Sequence, residues 1–441
     1  MRATDIIAKK RDGGALSTAE IEWFINEYTA GNLPDYQASA LMMAIYIRGM
    51  NRPEAVDLTL AMARSGDMLD IHGAVDFVVD KHSSGGVGDK TSLVALPLVV
   101  ACGVPVGKMS GRALGFSGGT LDKMESVPGW RAEFSTKKFM AQLRQYKIVL
   151  CGQTADLAPA DRKLYALRDV TATVSSMPLI AASIMSKKLA SGADGILLDV
   201  KVGRGAFMPT PQAARQLATL MVQVGKDAGR RMAALISDMN QPLGKAVGNA
   251  LEVREAIATL HNGGPADFRE HSLEAAAQML ALADDAQDVQ AARARCEARL
   301  ADGSAWEQFR VLVKAQGGDV SAVDDPGRLP AAKLVEPVLA PQSGFVAAVD
   351  AKTVGITSMA LGAGRTRKGA PIDHSVGVEV LVKVGDRVEQ GAPLFSIHAN
   401  QPEQLAQARE KLLAAVECST EPVEPLPLFY DLSNSSTLWT E

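Results

Sequence analysis

Residues 75–111, VDFVVDKHSSGGVGDKTSLVALPLVVACGVPVGKMSG, decide the fold. The apolar run VDFVVD, bounded by a Gly/Ser cluster, reads as a short buried strand. Thr91 to about Cys102 has the length and composition of a buried helix, and Gly103 ends it. VPVGKMSG then reads as a second strand. Strand, loop, helix and strand in this order predict a parallel sheet, because parallel neighbours need a crossover that packs back on the sheet.

Working outward, YKIVLCG (146–152), ADGILLDVKVG (193–203) and RMAALISDM (231–239) are further strand candidates, separated by helical patterns. An α/β layer with helices on both faces follows. Upstream, STAE (17–20) has capping-box spacing, and three short helices fill the first sixty-odd residues. The Ala-, Arg- and Glu-rich stretch from about Glu252 to Ala315 predicts solvated amphipathic helices. From about Ala340 the chain turns to β-branched runs punctuated by glycine, then the helical PEQLAQAREKLLAAV. That layout resembles a biotinyl or lipoyl barrel-sandwich. It has no lysine in a Met-Lys-Met setting, so it reads as a structural β-rich module and not a carrier.

A chain of 441 residues is too long for one ordinary core, so two or three domains are expected. Hydrophobic residues make up 47% of it, charged residues 22%, and the net charge is −4. Without a long Lys/Arg run, neither nucleic acid nor an anionic membrane is expected as partner. The four cysteines lack metal-ligand spacing and predict reduced thiols. The basic N-terminus has no apolar segment of signal-peptide type, and no apolar run reaches membrane-spanning length. A cytoplasmic location is expected.

The loop at 80–93 has the look of a nucleotide-binding P-loop, and the look fails on inspection. With Lys90-Thr91 in the last two motif positions, the required glycines fall at Ser84 and Asp89. The loop still suits an anion. It lies between a strand's carboxyl end and a helix start, where backbone N–H groups and the helix dipole favour negative charge. Lys81, Ser83 and Ser92 add side-chain donors. A second Gly/Ser/Thr-rich loop, KMSGRALGFSGGTLDKMES (108–126), also follows a strand. In an open α/β sheet the two share one crevice, so Lys81, Ser83, Ser92, Ser110 and Thr120 form a candidate phosphate site. Ser183 and Lys187 share one helix face at i,i+4, with Arg168 shortly before them. Taken singly, Arg168 would pair with Asp161 or Asp169, and Lys187 would be solvated.

The three stretches KHSSGGVGDKTSL, SGRALGFSGGTLDKMES and YALRDVTATVSSMPLIAASIMSKK together closely resemble the thymidine and pyrimidine-nucleoside phosphorylases. The similarity runs essentially end to end. It implies reversible phosphorolysis of a pyrimidine nucleoside (uridine, thymidine or deoxyuridine) to free base and (deoxy)ribose 1-phosphate. It also implies a small helical domain (1–70, completed by 160–190) facing an α/β domain (71–335) across a closing cleft, with a C-terminal α+β domain (336–441). A homodimer built through the helical domain is implied as well. Inorganic phosphate is the co-substrate, and no cofactor is needed for the chemistry.

Carried over by position, Lys81, Ser83, Ser92, Ser110 and Thr120 hold phosphate. Arg168, Ser183 and Lys187 hold the base, and His82 lies near its O2 as a proton or hydrogen-bond donor. The catalytic set is then His82, Arg168 and Lys187. Lys108, two residues before Ser110, resembles the broad branch that accepts uridine, and is counted with the phosphate ligands. A strict thymidine phosphorylase is the alternative. A related phosphoribosyltransferase and a non-catalytic binding protein are weaker alternatives, because a Gly-Thr-Gly-Gly-Asp loop is absent and Arg168, Ser183 and Lys187 are all present.

The resemblance further implies a structural potassium ion held by Gly88, residue 90, Leu243, Ala246 and Glu255. The family usually has threonine at 90, and this chain has Lys90. Its ammonium is expected to pair with Glu255 and displace the ion. Phe116 stands where the family has a polar residue, near the pyrimidine side.

Overall fold

The computed structural model describes residues 1–112, 115–152, 156–284, 288–365, 367 and 370–433. Residues 113 and 114 of the second anion loop and the tail 434–441 lie outside them.

Four helices open the chain: α1 (Ala3–Arg11), α2 (Thr18–Ala30), α3 (Asp35–Arg48) and α4 (Arg52–Ala63). The first of these goes beyond the three expected. Ser17 and Glu20 close a capping box on α2, and Asn51 and Glu54 close another on α4. The buried Lys10 bonds Glu54 at 2.7 Å and fastens α1 to α4. The chain then runs through β1 (Val79–Ser83), α5 (Thr91–Ala101), β2 (Val106–Ser110), α6 (Thr120–Met124), α7 (Thr136–Tyr146) and β3 (Ile148–Gly152). Next come α8 (Pro159–Val170) and α9 (Met177–Ala190), which return to the first four helices. Leu164 of α8 and Leu179 and Ala182 of α9 complete a core with Phe24, Ile25, Met42 and Ile45.

The α/β layer continues with β4 (Gly195–Val202), α10 (Pro211–Asp227) and β5 (Arg231–Asp238). β1 to β5 are parallel and stand in the order β5-β4-β1-β2-β3. β1 is therefore central, with β2 and β4 on its two sides. It starts later than VDFVVD suggested and extends through Lys81 and His82, which belong to the strand and not to the loop.

β6 (Ala246–Val247) is followed by α11 (Asn249–Leu260), α12 (Ala266–Ala283), α13 (Val289–Ala301), α14 (Ser304–Ala315) and α15 (Val320–Asp324). The expectation of solvated helices fails for α12, which is buried continuously from His271 to Leu280. It packs against β4, β5 and α5 on one side and α13 on the other, so both its faces are covered. Its Ala-rich composition reflects close packing and not exposure.

The tail forms β7 (Leu334–Leu339), β8 (Gly344–Val349), α16 (Ala351–Ser358), β9 (Gly377–Val380), β10 (Arg387–Val388), β11 (Pro393–Ala399), α17 (Pro402–Ala414) and β12 (Val416–Ser419). These strands make two small sheets, β6-β9-β11-β7 and β10-β8-β12. The pairing of β6 with β9 ties the tail to the segment after β5. A final strand, β13 (Phe429–Ser433), returns to the main sheet and pairs antiparallel with β5. Among the described residues no helix is long and apolar enough to cross a membrane.

Candidate active site

The two anion loops leave the carboxyl ends of the adjacent strands β1 and β2, as the crevice argument requires. Gly85 (φ 100°) and Gly88 (φ 71°) take left-handed conformations that shape the first loop before α5 begins. Ser83 donates its hydroxyl to Asp89 at 2.5 Å and accepts the Gly85 N–H at 3.2 Å. Ser92 is buried in the first turn of α5, Thr120 opens α6, and Ser110 ends β2. Lys108 is buried beside them and donates to the carbonyl of Lys81, which binds β2 to β1.

Lys81 is not free in the crevice. Its fully buried ammonium lies 2.8 Å from Asp199 and 3.6 Å from Asp89. Lys201, two residues along β4 from Asp199 and so on the same face, shares that carboxylate at 2.8 Å. Lys201 also reaches Nε2 of His271 on α12 at 2.9 Å, and Nδ1 of His271 lies 3.1 Å from the Thr91 hydroxyl. The ammonium can only donate, so Nε2 accepts and the proton sits on Nδ1, facing Thr91. Burial, then the Lys201 charge, holds His271 below its ordinary pKa, which agrees with this neutral tautomer. Burial works against the Lys81 charge, but Asp199 and Asp89 outweigh it and raise its pKa. Both carboxylates are held well below the usual range by Lys201 and Lys81 despite burial. The floor beneath the loop is thus a compensated set of two ammonium groups and two carboxylates.

His82 ends up half-buried near the end of β1. Burial, then Lys188, Lys108, Lys187 and Lys81, pushes it well below its ordinary pKa. A neutral imidazole is a hydrogen-bond donor and not a proton source, which narrows the role expected from sequence. Lys108 is itself lowered to about 7, by burial and then Lys188, against the opposing pull of Asp80.

On the helical side, Ser183 and Lys187 do share a face of α9. Lys187 bonds the Ser183 hydroxyl at 3.1 Å and Asp161 of α8 at 2.5 Å. Arg168 pairs with neither expected aspartate through a hydrogen bond. Its buried guanidinium donates to the carbonyls of Leu179 (2.9 Å), Thr173 (3.3 Å) and Val174 (2.5 Å). Three bonds on a five-donor fork leave donors for a ligand while fixing the turn between α8 and α9. Lys188, the next residue, points the other way and bonds Asp80 of β1 at 2.6 Å and the Met109 carbonyl at 2.9 Å. One turn of α9 thereby presents Lys187 to the helical domain and Lys188 to the sheet.

The family models "Glycosyl transferase family, helical bundle domain", "Glycosyl transferase family, a/b domain" and "Pyrimidine nucleoside phosphorylase C-terminal domain" match residues 4–66, 76–306 and 345–419. The pyrimidine-nucleoside phosphorylase of Geobacillus stearothermophilus is 51% identical over 431 residues, 98% of this chain and 99% of that protein. That of Bacillus subtilis (strain 168) is 51% identical over 401 residues, 91% of this chain and 93% of that protein. The chain belongs to the pyrimidine-nucleoside phosphorylase family. Among solved structures, anthranilate phosphoribosyltransferase from Thermus thermophilus matches with a TM-score of 0.60 at 18% identity, covering 72% of this chain and 99% of that one. That likeness is one of fold.

The potassium site implied for this family can be tested on the residues themselves. Lys90, fully buried, places its ammonium 2.9 Å from the Leu243 carbonyl, 3.0 Å from that of Ala246 and 2.6 Å from Glu255. Those are the expected ligand groups, and the ammonium's three N–H bonds are matched to three acceptors. A potassium ion and this ammonium do not fit there together.

Phe116 packs toward Phe207 (ring centroids 6.5 Å apart) and the Lys352 ammonium. These contacts lie with the segment after β4 and with α16 of the tail, not with Arg168 or Lys187. The groups missed from sequence are Asp80, Asp89, Asp161, Lys188, Asp199, Lys201 and His271. For Asp199 and Lys201 a signal was present: two opposite charges at i,i+2 on one face of the otherwise apolar strand ILLDVKV.

Proposed function

We propose that this protein is a pentosyltransferase that phosphorolyses pyrimidine nucleosides, uridine as well as thymidine and deoxyuridine, reversibly to free base and (deoxy)ribose 1-phosphate. The observation that carries the reading is the pair Lys187–Lys188, which puts a base-side cation and a sheet-side cation on one turn of α9. The relatives, pyrimidine-nucleoside phosphorylases by name, support the same reaction.

In this reading phosphate lies between the two loops, on Ser83, Ser92, Ser110, Thr120 and the N–H groups at the start of α5, with Lys108 supplying charge and Lys81, already paired with Asp199 and Asp89, lying in the floor beneath it. A phosphate oxygen attacks C1′ while the C1′–N1 bond breaks and its electron pair leaves with the base. The sugar passes through an oxocarbenium-like state and the base gains negative charge. Arg168, Ser183 and Lys187 face that charge, so they favour the transition state over bound substrate. His82 contributes one N–H to the base carbonyl. Closing the helical domain on the sheet brings the reactants together and excludes water. Lys108 beside the sugar-phosphate side supports acceptance of a ribose hydroxyl, which favours the broad activity over a strict thymidine one.

The helical domain also carries an unpartnered apolar face. On α3, Tyr36 is 74% exposed and Ile47 68%, and Met43 lies on the same face between them. A second copy of this chain seated there would form the expected homodimer. A cytoplasmic location is part of the same reading.

The test is to mix purified protein with uridine or thymidine, with and without phosphate, and follow base release by ultraviolet absorbance. Release that requires phosphate supports the assignment. Release without phosphate, or none with it, overturns it.

A further inference from the structure

Lys90 lies between the first anion loop and α5, and its ammonium leaves that region altogether. It ends inside a cage built from the segment after β5: the Leu243 and Ala246 carbonyls, the Glu255 carboxylate and, 5.0 Å away, the face of Phe268. The cage is closed by glycines. A Cβ on Gly88 would stand 2.6 Å from the Leu243 oxygen, and one on Gly244 would stand 2.1 Å from Glu255 and 3.0 Å from the ammonium. A second lysine braces the same segment from the tail. Lys383 donates to the Pro242 (2.6 Å) and Gly244 (2.8 Å) carbonyls and pairs with Asp267 at 2.7 Å. Four carbonyls of residues 242–246 thus converge on two ammonium groups.

We infer that the Lys90 ammonium is a tethered internal cation that replaces a bound monovalent ion, and that removing it opens a site for potassium. Convergent carbonyls and a nearly buried carboxylate are unfavourable without a positive charge among them. An ammonium and a potassium ion are close in size, carry the same charge and accept the same oxygen neighbours. The native protein therefore needs no potassium for its stability or activity. A chain with a short polar residue at 90 retains the cage, the carboxylate and the need for a cation. This inference rests on the ammonium's surroundings and not on the reaction, so its thermal readout stands even if the nucleoside assay fails.

The experiment compares the full-length wild type with Lys90→Thr and Lys90→Met. Thermal unfolding is followed in tetramethylammonium chloride exchanged stepwise for potassium chloride at fixed ionic strength, with phosphorolysis measured in parallel. The wild-type midpoint and rate stay the same across the exchange. Lys90→Thr unfolds roughly 5 °C or more lower in tetramethylammonium and regains part of that shift saturably as potassium is added. Lys90→Met keeps the stem, loses the charge and is not restored. A saturable rise of the wild-type midpoint with potassium overturns the inference, and this arm needs no variant to fold. An equal response of Lys90→Thr and Lys90→Met to potassium, or no response of Lys90→Thr, also overturns it.

Discussion

The ammonium of Lys187 on α9 lies 2.5 Å from a carboxylate oxygen of Asp161 on α8, and both groups are largely shielded from water. The pairing gives Lys187 one orientation before substrate arrives, so in the proposed reaction it would meet the developing charge of the base without reorganising. Asp161→Asn keeps the shape and removes the charge, leaving Lys187 less fixed. The kcat is expected to fall about 10-fold, with a smaller rise in the nucleoside KM. Lys187→Ala removes the group proposed to face the base, and kcat/KM is expected to fall further, by about 3 kcal/mol of transition-state stabilisation. Steady-state kinetics at saturating phosphate separate the two patterns. Equal effects on kcat and KM in both variants would count against a positioning role for Asp161.

His271 is expected to act on the phosphate site from a distance. It is fully buried on α12 and links Lys201 to Thr91 at the start of α5. His271→Leu leaves both without this partner and is expected to cost about 2–4 kcal/mol of stability. Urea unfolding measures that loss. Because Lys201 and Lys81 share Asp199, the phosphate KM should rise while the nucleoside KM changes little.

Lys108 sets a pH dependence. Its pKa falls from 10.5 to about 7 on folding, so the folded protein sheds this proton before the unfolded chain does. Between those values the unfolded state binds more protons, and stability rises with pH. Phosphate binding runs the other way, since an anion beside Lys108 favours its charged form and draws a proton in. The apparent phosphate KM is therefore expected to climb from about pH 7 upward, by as much as roughly 10-fold per unit. Lys108→Met should bind phosphate more weakly at pH 7 and lack the climb, while the titration of phosphate itself is common to both proteins. His82, held well below its ordinary value, adds no proton-linked step near neutrality.

The exposed face of α3 predicts the assembly. Ile47→Asp places a charge on the apolar face, and light scattering should report a mass near one chain, against twice that for the wild type. A single-chain mass for the wild type would remove the proposed homodimer.

Much of this site was legible in the sequence because its elements are local. A strand, a glycine loop and a helix start lie within residues 79–92, and Ser183 and Lys187 are one turn apart. The cage around Lys90 was legible through resemblance, as a lysine standing where threonine was expected. What escaped was long-range pairing. His271 meets Lys201 across 70 positions and Thr91 across 180, and nothing near His271 in the chain marks it. The bland alternative for Arg168, an ion pair with Asp161 or Asp169, rested on carboxylates that lie near it in the chain. Its actual acceptors are carbonyls of a turn, which carry no side-chain signature. α12 was misread because alanine-rich composition is shared by solvated helices and by tightly packed ones.

The last strand has a bearing on when the protein becomes competent. Phe429 stacks on His271 with ring centroids 5.3 Å apart, Tyr430 bonds Asp238 at 3.0 Å, and Asp431 pairs with Arg215 at 2.6 Å. Residues 429–433 thereby cover the His271 ring and seal the open edge of β5. During synthesis the first five strands of the sheet can assemble well before this segment emerges from the ribosome, but one edge stays bare until it does. A nascent chain would hold its candidate site residues in a sheet still open to wrong partners until residues 429–433 had emerged and closed that edge.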